Sequence, residues 1–313
     1  MPESVHRSRV RTLLVTGHTG FVGRTLATLL ERDPGAFEWM LATLPDDFDI
    51  RRADLEAHVR RIAPAGVIHL AGLTSVAESF QAPDLFFDVN FGGTWNLLKA
   101  LRSAGFSGRL IFVSSGDCYG AISPAQLPIA EDHPLRPRNP YGVSKAAAEA
   151  LCYQWSQTER FDIVVARSFN HIGPGQDTRF AVASFASQVA RIRARLAPAR
   201  ITTGDLDVTR DLTDARDVVR AYFALLAGGH SGEAYNVGSG RETRLADVLD
   251  QLIALAGVEV EKRVDPARLR SDEQRRARAD VRKIARDTGW SAETPLATTL
   301  ADMLDDWTHR IAS

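Results

Sequence analysis

The stretch VRTLLVTGHTGFVG, Val10–Gly23, decides how the rest of the chain is read. Val10–Thr16 is an apolar, β-rich run ending at a glycine, and Phe21–Glu31 follows with Phe21, Leu26, Leu29 and Leu30 at helical spacing. At the junction Gly17, Gly20 and Gly23 are spaced GxxGxxG. The first two glycines permit a tight turn and close backbone approach to a pyrophosphate, and the third lets the helix pack on the strand. The helix N-terminus adds free N–H groups and a positive dipole end. The junction therefore predicts a dinucleotide site formed by Gly17, Thr19, Gly20, Phe21, Val22 and Gly23.

Outward from this motif, strand and helix signals alternate. Short apolar runs fall at Phe37–Leu41, Val67–Leu70, Leu110–Val113 and Ile163–Ala166, with helical stretches near Asp54–Ile62, Asp88–Arg102 and Tyr141–Thr158 between them. Continuous apolar strands separated by helices predict an α/β fold, a doubly wound parallel sheet of Rossmann type. Beyond Arg167 the rhythm breaks. Gly173-Pro174-Gly175 marks a turn, Ala181–Arg195, Leu245–Ala256 and Pro295–Arg310 read as helices, and short strands are expected at Arg200–Thr203 and Ala234–Val237. The expectation is a Rossmann domain of residues 1–167, rejoined by 207–238, with a smaller C-terminal α/β domain of 168–206 and 239–313.

The 313 residues are 44% hydrophobic and 25% charged, and 38 Lys+Arg against 39 Asp+Glu leave a net charge of -1. That balance gives no general pull toward nucleic acid or an anionic membrane, and no apolar run reaches the roughly 18 residues of a membrane span. The N-terminal residues turn into a strand pattern without an apolar h-region, so secretion is not expected. Cys118 and Cys152 make no metal spacing and read as free thiols of a reducing compartment, the cytoplasm. Lys262–Lys283 carries nine Lys/Arg against four Asp/Glu, either a solvated helix and loop or a source of arginines for a phosphate.

An acidic residue near the end of the second strand would bind the ribose 2′-hydroxyl of NADH. That region reads Ala42-Thr43-Leu44-Pro45-Asp46-Asp47, with no acid at the natural strand end. Arg24, directly after the glycines, either meets a 2′-phosphate or is a solvated first-turn arginine, which tilts the expectation to NADPH over NADH. Tyr141 and Lys145 lie four residues apart at the start of a helix, so they share one face. A neighbouring ammonium favours the phenolate, as an acid–base tyrosine requires. Ser114-Ser115 end the preceding strand, and chemistry in a doubly wound sheet sits at the strands' carboxyl ends. Ser115 would hydrogen-bond a substrate oxygen while Tyr141 transfers its proton.

With these residues in place the chain resembles the extended short-chain dehydrogenases/reductases, in the branch acting on nucleotide-diphosphate sugars. The likeness rests on VTGHTGFVG (Val15–Gly23), HLAG (His69–Gly72), VNFGGT (Val89–Thr94), SSGDCYG (Ser114–Gly120) and PYGVSK (Pro140–Lys145). It continues through RSFNHIGPGQ (Arg167–Gln176), TRDLTDARDVVRAY (Thr209–Tyr222) and YNVGSG (Tyr235–Gly240). Together with the helix AVASFASQVARI (Ala181–Ile192), SSGDCYG and FNHIGPGQ are most similar to the GDP-6-deoxy-D-mannose reductases within that branch. The resemblance implies reduction of the C4 ketone of a GDP-sugar by NADPH or NADH in a homodimer, with no metal. It makes Tyr141 the general acid, Lys145 its partner and ribose ligand, and Ser115 the donor to the C4 oxygen. It further implies that Asp49 and Ile50 meet the adenine, and that Leu70, Ala71, Gly72 and Asn90 line the cofactor groove. Thr74, Gly116, Asp117, Asn170, Arg210 and Arg270 would hold the substrate. His171 either faces the sugar or is a satisfied structural histidine. A 4,6-dehydratase would need an extra carboxyl acid–base pair, and the sequence offers Gly116 and the short Asp117 there. A C4 epimerase needs no additional acid, and a non-catalytic nucleotide sensor would not need the Tyr/Lys pair.

Overall fold

The structure, a computed structural model, describes residues 11–33, 38–269 and 274–312. Its first half runs β1 (Arg11–Thr16), α1 (Phe21–Arg32), β2 (Trp39–Thr43), α2 (Leu55–Ile62), β3 (Gly66–His69), α3 (Val76–Gln81), α4 (Pro83–Phe86), α5 (Gly93–Ser103), β4 (Arg109–Ser115), α6 (Pro140–Thr158) and β5 (Asp162–Ser168). The second half adds β6 (Asn170–Ile172), α7 (Ala181–Arg193), β7 (Arg200–Thr203), β8 (Thr209–Arg210), β9 (Leu212–Asp214), α8 (Ala215–Gly228), β10 (Ala234–Val237), β11 (Thr243–Arg244), α9 (Leu245–Ala256), β12 (Glu261–Val264), α10 (Arg282–Thr288) and α11 (Leu296–Ala312).

Among the described residues six strands pair in parallel in the order β10-β5-β4-β3-β1-β2. Alternate residues of a strand face opposite sides, and helices cover both. Leu13 and Val15 of β1 pack with Ile68, Ile111, Val218 and Tyr222, while Leu14 packs with Val67, Leu97, Leu110 and Phe112 on the other face. This is why β1 reads as an unbroken apolar run. From β1 the chain moves outward to β2, then back to β3 on the other side, so the strand order reverses there. A reversal opens a crevice at the strands' carboxyl ends.

A separate core joins α7, α9, α11 and β7 through Phe185, Val189, Ile201, Leu249, Leu252, Leu300 and Met303. Three features depart from the sequence reading. The basic stretch begins with a strand, β12, paired in parallel with β7, where a helix and loop were one expectation. Val281, Ile284 and Trp290 pack on the main-sheet core, although the sequence reading grouped them with the C-terminal domain. The helix expected from Asp88 starts earlier: α4, a π-helical segment over Phe87–Gly92 and α5 follow one another without a break.

Candidate active site

The glycine turn is built to admit something close to its backbone. Gly17 has φ +72, and a Cβ there would lie 2.6 Å from the Ala71 amide nitrogen, at the end of β3. A Cβ on Gly23 would fall 2.5 Å from the Gly17 oxygen, so α1 can seat on the turn only without one. Gly20 caps α1, and among the described residues no side chain takes up the first-turn N–H groups. The opposite wall is held by a relay through a histidine. The Ala71 N–H donates to Thr16 Oγ1, which donates to His69 Nδ1 at 2.6 Å. The other nitrogen, Nε2, then donates to Thr94 Oγ1, and Thr94 to the Asn90 carbonyl. Burial, and after it the Lys145 charge, push His69 down to about 3, so it serves this relay as a neutral ring. Above Gly72 a Cβ would meet Asn90 Oδ1 at 2.9 Å and Lys145 Nζ at 4.0 Å. A cradle of bare backbone running from free amides to a lysine fits a dinucleotide.

The chemistry-bearing residues come from one helix and one strand end. Asn139 Oδ1 accepts the Gly142 N–H at 2.7 Å and Pro140 fills the first turn, which fixes where α6 begins. Tyr141 and Lys145 then share one buried face. Gly142 lets that helix touch the turn after β4, since a Cβ would lie 2.9 Å from the Asp117 carbonyl. Ser115 ends β4, its hydroxyl accepting the Asp117 N–H at 3.2 Å while it neighbours the Tyr141 phenol as a hydrogen-bond partner.

The electrostatics reverse one expectation. Burial, followed by the charge of Asp117, raises the Tyr141 phenol well above its ordinary value rather than favouring the phenolate. Burial likewise pushes Lys145 down to about 8, against the pull of Cys118, Cys152 and Glu149, and its Nζ rests 4.6 Å from the centre of the Phe112 ring. Desolvation dominates for both groups because both lie in the interior. The site therefore holds a proton on the phenol.

Other residues singled out by the sequence are in varied positions. Arg24 bridges the glycine turn to the second half of the chain, donating to the Thr19 carbonyl and to that of Gly175 at 3.2 Å. From the loop after β2, Asp46 instead pairs with His18 of the glycine turn at 2.9 Å. Asp49 spends its carboxylate on Arg51, whose hydrogen bonds hold it down at about 2, while Ile50 is buried against Gly93. Asn90 sits in the π-helical segment with its amide bound to Leu73 and to Ser144 Oγ, so it braces the groove rather than presenting a free amide. Leu70 is half-buried beside Ala71, and Thr74 is exposed in the loop that follows. Gly116 faces the Phe169 ring at 3.4 Å from its notional Cβ, and Asp117 is exposed. Asn170 is exposed on β6, and Arg210 donates to the carbonyls of Thr209 and Gln274 at 2.8 Å. His171 donates through Nδ1 to the Phe169 carbonyl and stacks on Phe21, with burial lowering its pKa. Arg270 lies outside the described residues. Sequence reasoning missed Glu149, although its position four residues beyond Lys145 marks the same helix face.

The chain belongs to the extended short-chain dehydrogenase/reductase family: the family model described as GDP-mannose 4,6 dehydratase matches residues 46–303. Among individual proteins it is 44% identical over 299 residues to GDP-6-deoxy-D-mannose reductase of Pseudomonas aeruginosa, covering 96% of this chain and 98% of that one. The structure of RMD from Pseudomonas aeruginosa complexed with NADPH matches with a TM-score of 0.90 and 42% identity, over 96% of this chain and 99% of that one. UDP-glucose 4-epimerase from Thermotoga maritima, solved with UDP-glucose, matches with a TM-score of 0.85 and 26% identity, over 96% of this chain and 99% of that one.

Proposed function

We propose that this enzyme reduces the C4 ketone of GDP-4-dehydro-6-deoxy-D-mannose with NAD(P)H, giving GDP-6-deoxy-D-mannose (GDP-D-rhamnose). The observation that carries this reading is a buried phenol held in its protonated form beside a dinucleotide cradle, with glycine at 116 where a dehydratase would keep a second acid. A reduction needs one proton delivered to the ketone oxygen and no acid–base pair at C5 and C6. What the cofactor supplies when bound is the hydride.

The chain's residues do the rest. Tyr141 protonates the developing alkoxide, and Ser115 donates a second hydrogen bond to the same oxygen. Donors preorganised at such an oxygen are worth about 3 kcal/mol each. Lys145 stands next to Gly72 and Asn90, in reach of a cofactor ribose, and its charge stabilises the Tyr141 phenolate left when the proton goes to the substrate oxygen, until a proton from solvent replaces it. Gly17, Thr19, Gly20, Phe21, Val22, Gly23, Leu70, Ala71 and Gly72 form the cofactor cradle, with Ile50 at the adenine. Arg210, Asn170 and Arg270 take the GDP diphosphate, a doubly charged group that suits forked guanidinium donors. Thr74, Gly116 and Asp117 flank the sugar.

Residues 1–167 with 207–238 serve the cofactor, while 168–206 and 239–313 serve the nucleotide sugar in the cleft between them. NADPH is the preferred reductant, as its presence in the Pseudomonas aeruginosa relative's structure suggests. The protein works as a homodimer through Asn90–Arg102 and Tyr141–Thr158, where Trp95, Val143 and Tyr153 are exposed to 47%, 39% and 58%. Two buried free thiols, Cys118 and Cys152, suit the cytoplasm. Among the described residues no helix is long and apolar enough to cross a membrane.

The test is oxidation of NADPH and NADH by the purified protein with GDP-4-dehydro-6-deoxy-D-mannose. Stoichiometric oxidation with a GDP-deoxyhexose product is expected. Inertness toward that ketone together with turnover of GDP-mannose or of a UDP-hexose would replace the reductase reading by a dehydratase or an epimerase.

A further inference from the structure

Behind the reacting residues lies a closed polar network that the reduction itself does not use. Glu149 is one turn beyond Lys145 on α6, and it is only 5% exposed. One carboxylate oxygen accepts from the Ser114 hydroxyl, the residue before Ser115. The other accepts from Arg167 Nε at 2.9 Å and from its terminal nitrogen at 2.8 Å. Arg167, on β5, donates in turn to the Tyr119 hydroxyl and the Glu131 carbonyl, both at 2.9 Å. Tyr119 donates to Asn236 Oδ1 at 2.7 Å, and Asn236 ties down Ile129 and Glu131. Cys118 closes the circuit by contacting Ser114 at 3.5 Å and the Gly142 carbonyl at 3.6 Å. Ser114, Tyr119, Arg167 and Asn236 are thus bound into one unit around the turn that carries Ser115 and Asp117.

A buried ion pair is weak evidence of stability by itself, since packed apolar residues of similar volume usually do as well. Its placement here has a different consequence. We propose that Glu149 is a positioning residue for the reduction: fixed by Arg167, it holds Ser114 and the Ser115–Asp117 turn against Tyr141 and sets a buried negative charge one turn from Lys145. Arg167 is the only cation bound to it among the described residues, and Lys145 is the next along the same helix face. The groups around Lys145 are the Tyr141 phenol on its own helix face, Cys118 from the turn after β4, Cys152 and Glu149 from its own helix, and neutral His69 from β3. Of these Glu149 is the carboxylate, bound to Arg167. Burial already leaves Lys145 at about 8, and Glu149 is one of the groups that pull it upward, so removing this carboxylate should take it lower.

The inference rests on the reductase reading, and the experiment separates the two. Profiles of kcat and KM against pH are measured with NADPH and GDP-4-dehydro-6-deoxy-D-mannose for the wild type, Glu149→Gln, Glu149→Asp and the double variant Glu149→Leu/Arg167→Met. NADPH affinity is read by fluorescence and the fold by circular dichroism. With burial lowering Lys145 and raising the phenol, the alkaline limb of the wild-type profile is expected to follow Lys145. Glu149→Gln should lower kcat about tenfold, leave KM within about threefold and move that limb about one pH unit lower. Glu149→Asp, which keeps the charge, should return the limb toward its wild-type position. The double variant leaves no unpaired buried charge, so it should fold and still show the displaced limb. A limb that stays in place in Glu149→Gln, or in the double variant with wild-type kcat, would reduce the network to a packing element and overturn the proposal. A wild type that fails to oxidise NADPH with this ketone overturns the reductase reading instead.

Discussion

Tyr141→Phe removes one oxygen and leaves the ring. That ring is 7% exposed and stands edge-on to Phe86 at 6.3 Å, so the packing of α6 has little to lose. What disappears is the proton and one of the two donors aimed at the ketone oxygen. A positioned general acid is worth about 10²–10⁴ in rate, or about 2.7–5.4 kcal/mol at 1.36 kcal/mol per decade. The surroundings put this case toward the upper end. Burial and Asp117 hold the phenol protonated, so the native group is always ready, and the same burial denies solvent a place to substitute. The remaining donor, Ser115, is shared with Asp117 Oδ2 at 3.5 Å. We therefore expect kcat to fall about 10³–10⁴-fold, with NADPH affinity and KM within about threefold of the native values. Single-turnover oxidation of enzyme-bound NADPH isolates the chemical step, and a thermal melt checks the fold. Residual turnover above about a tenth of the native rate, with the fold intact, would show that the proton comes from elsewhere.

Three further substitutions test the surroundings. Gly17→Ala forces a side chain into a left-handed backbone at a cost of roughly 1–2 kcal/mol and sets a Cβ 2.6 Å from the Ala71 nitrogen, so NADPH affinity should fall at least about tenfold. Fluorescence titration that finds the native affinity would empty the proposed cradle. Asp46→Asn tests whether this carboxylate stands at the ribose subsite, where it would accept a 2′-hydroxyl and repel a 2′-phosphate, and it frees His18 from its partner at 2.9 Å. The ratio of NADH to NADPH dissociation constants should rise about tenfold, and an unchanged ratio would place the pair outside the ribose subsite. Trp95→Asp puts a charge on the half-exposed face of α5 and should weaken dimerisation about a hundredfold, measured by sedimentation. A native sedimentation profile would move the dimer contact to another surface.

What the sequence made legible follows from how local each signal is. Arg200–Thr203, Ala234–Val237 and Leu245–Ala256 have the same limits in both readings, and β1 declares itself because helices on both sheet faces make Leu13, Leu14 and Val15 a continuous apolar run. The glycine turn was legible because its three glycines fall within seven residues at a strand-to-helix junction, although the close approach that requires Gly17 comes from Ala71, far along the chain. Contacts that close over long chain separations were not. Arg24 reaches a carbonyl 151 residues away, and no composition rule assigns a first-turn arginine to it. The Glu149 network spans separations of 18, 48 and 117 residues, so its motifs were visible one at a time while their common purpose was not.

The sign of the Tyr141 shift carries the wider point. Spacing along the helix predicts a phenol made more acidic by its lysine, and that inference holds only where solvent leaves the Coulomb attraction unopposed. In the interior desolvation works on both partners in opposite directions, raising the phenol and lowering the ammonium to about 8. For a reduction this arrangement is apt. The acid keeps its proton until negative charge develops on the substrate oxygen, and the lysine, lowered to about 8 by burial, lies one turn from the carboxylate whose removal tests its charge.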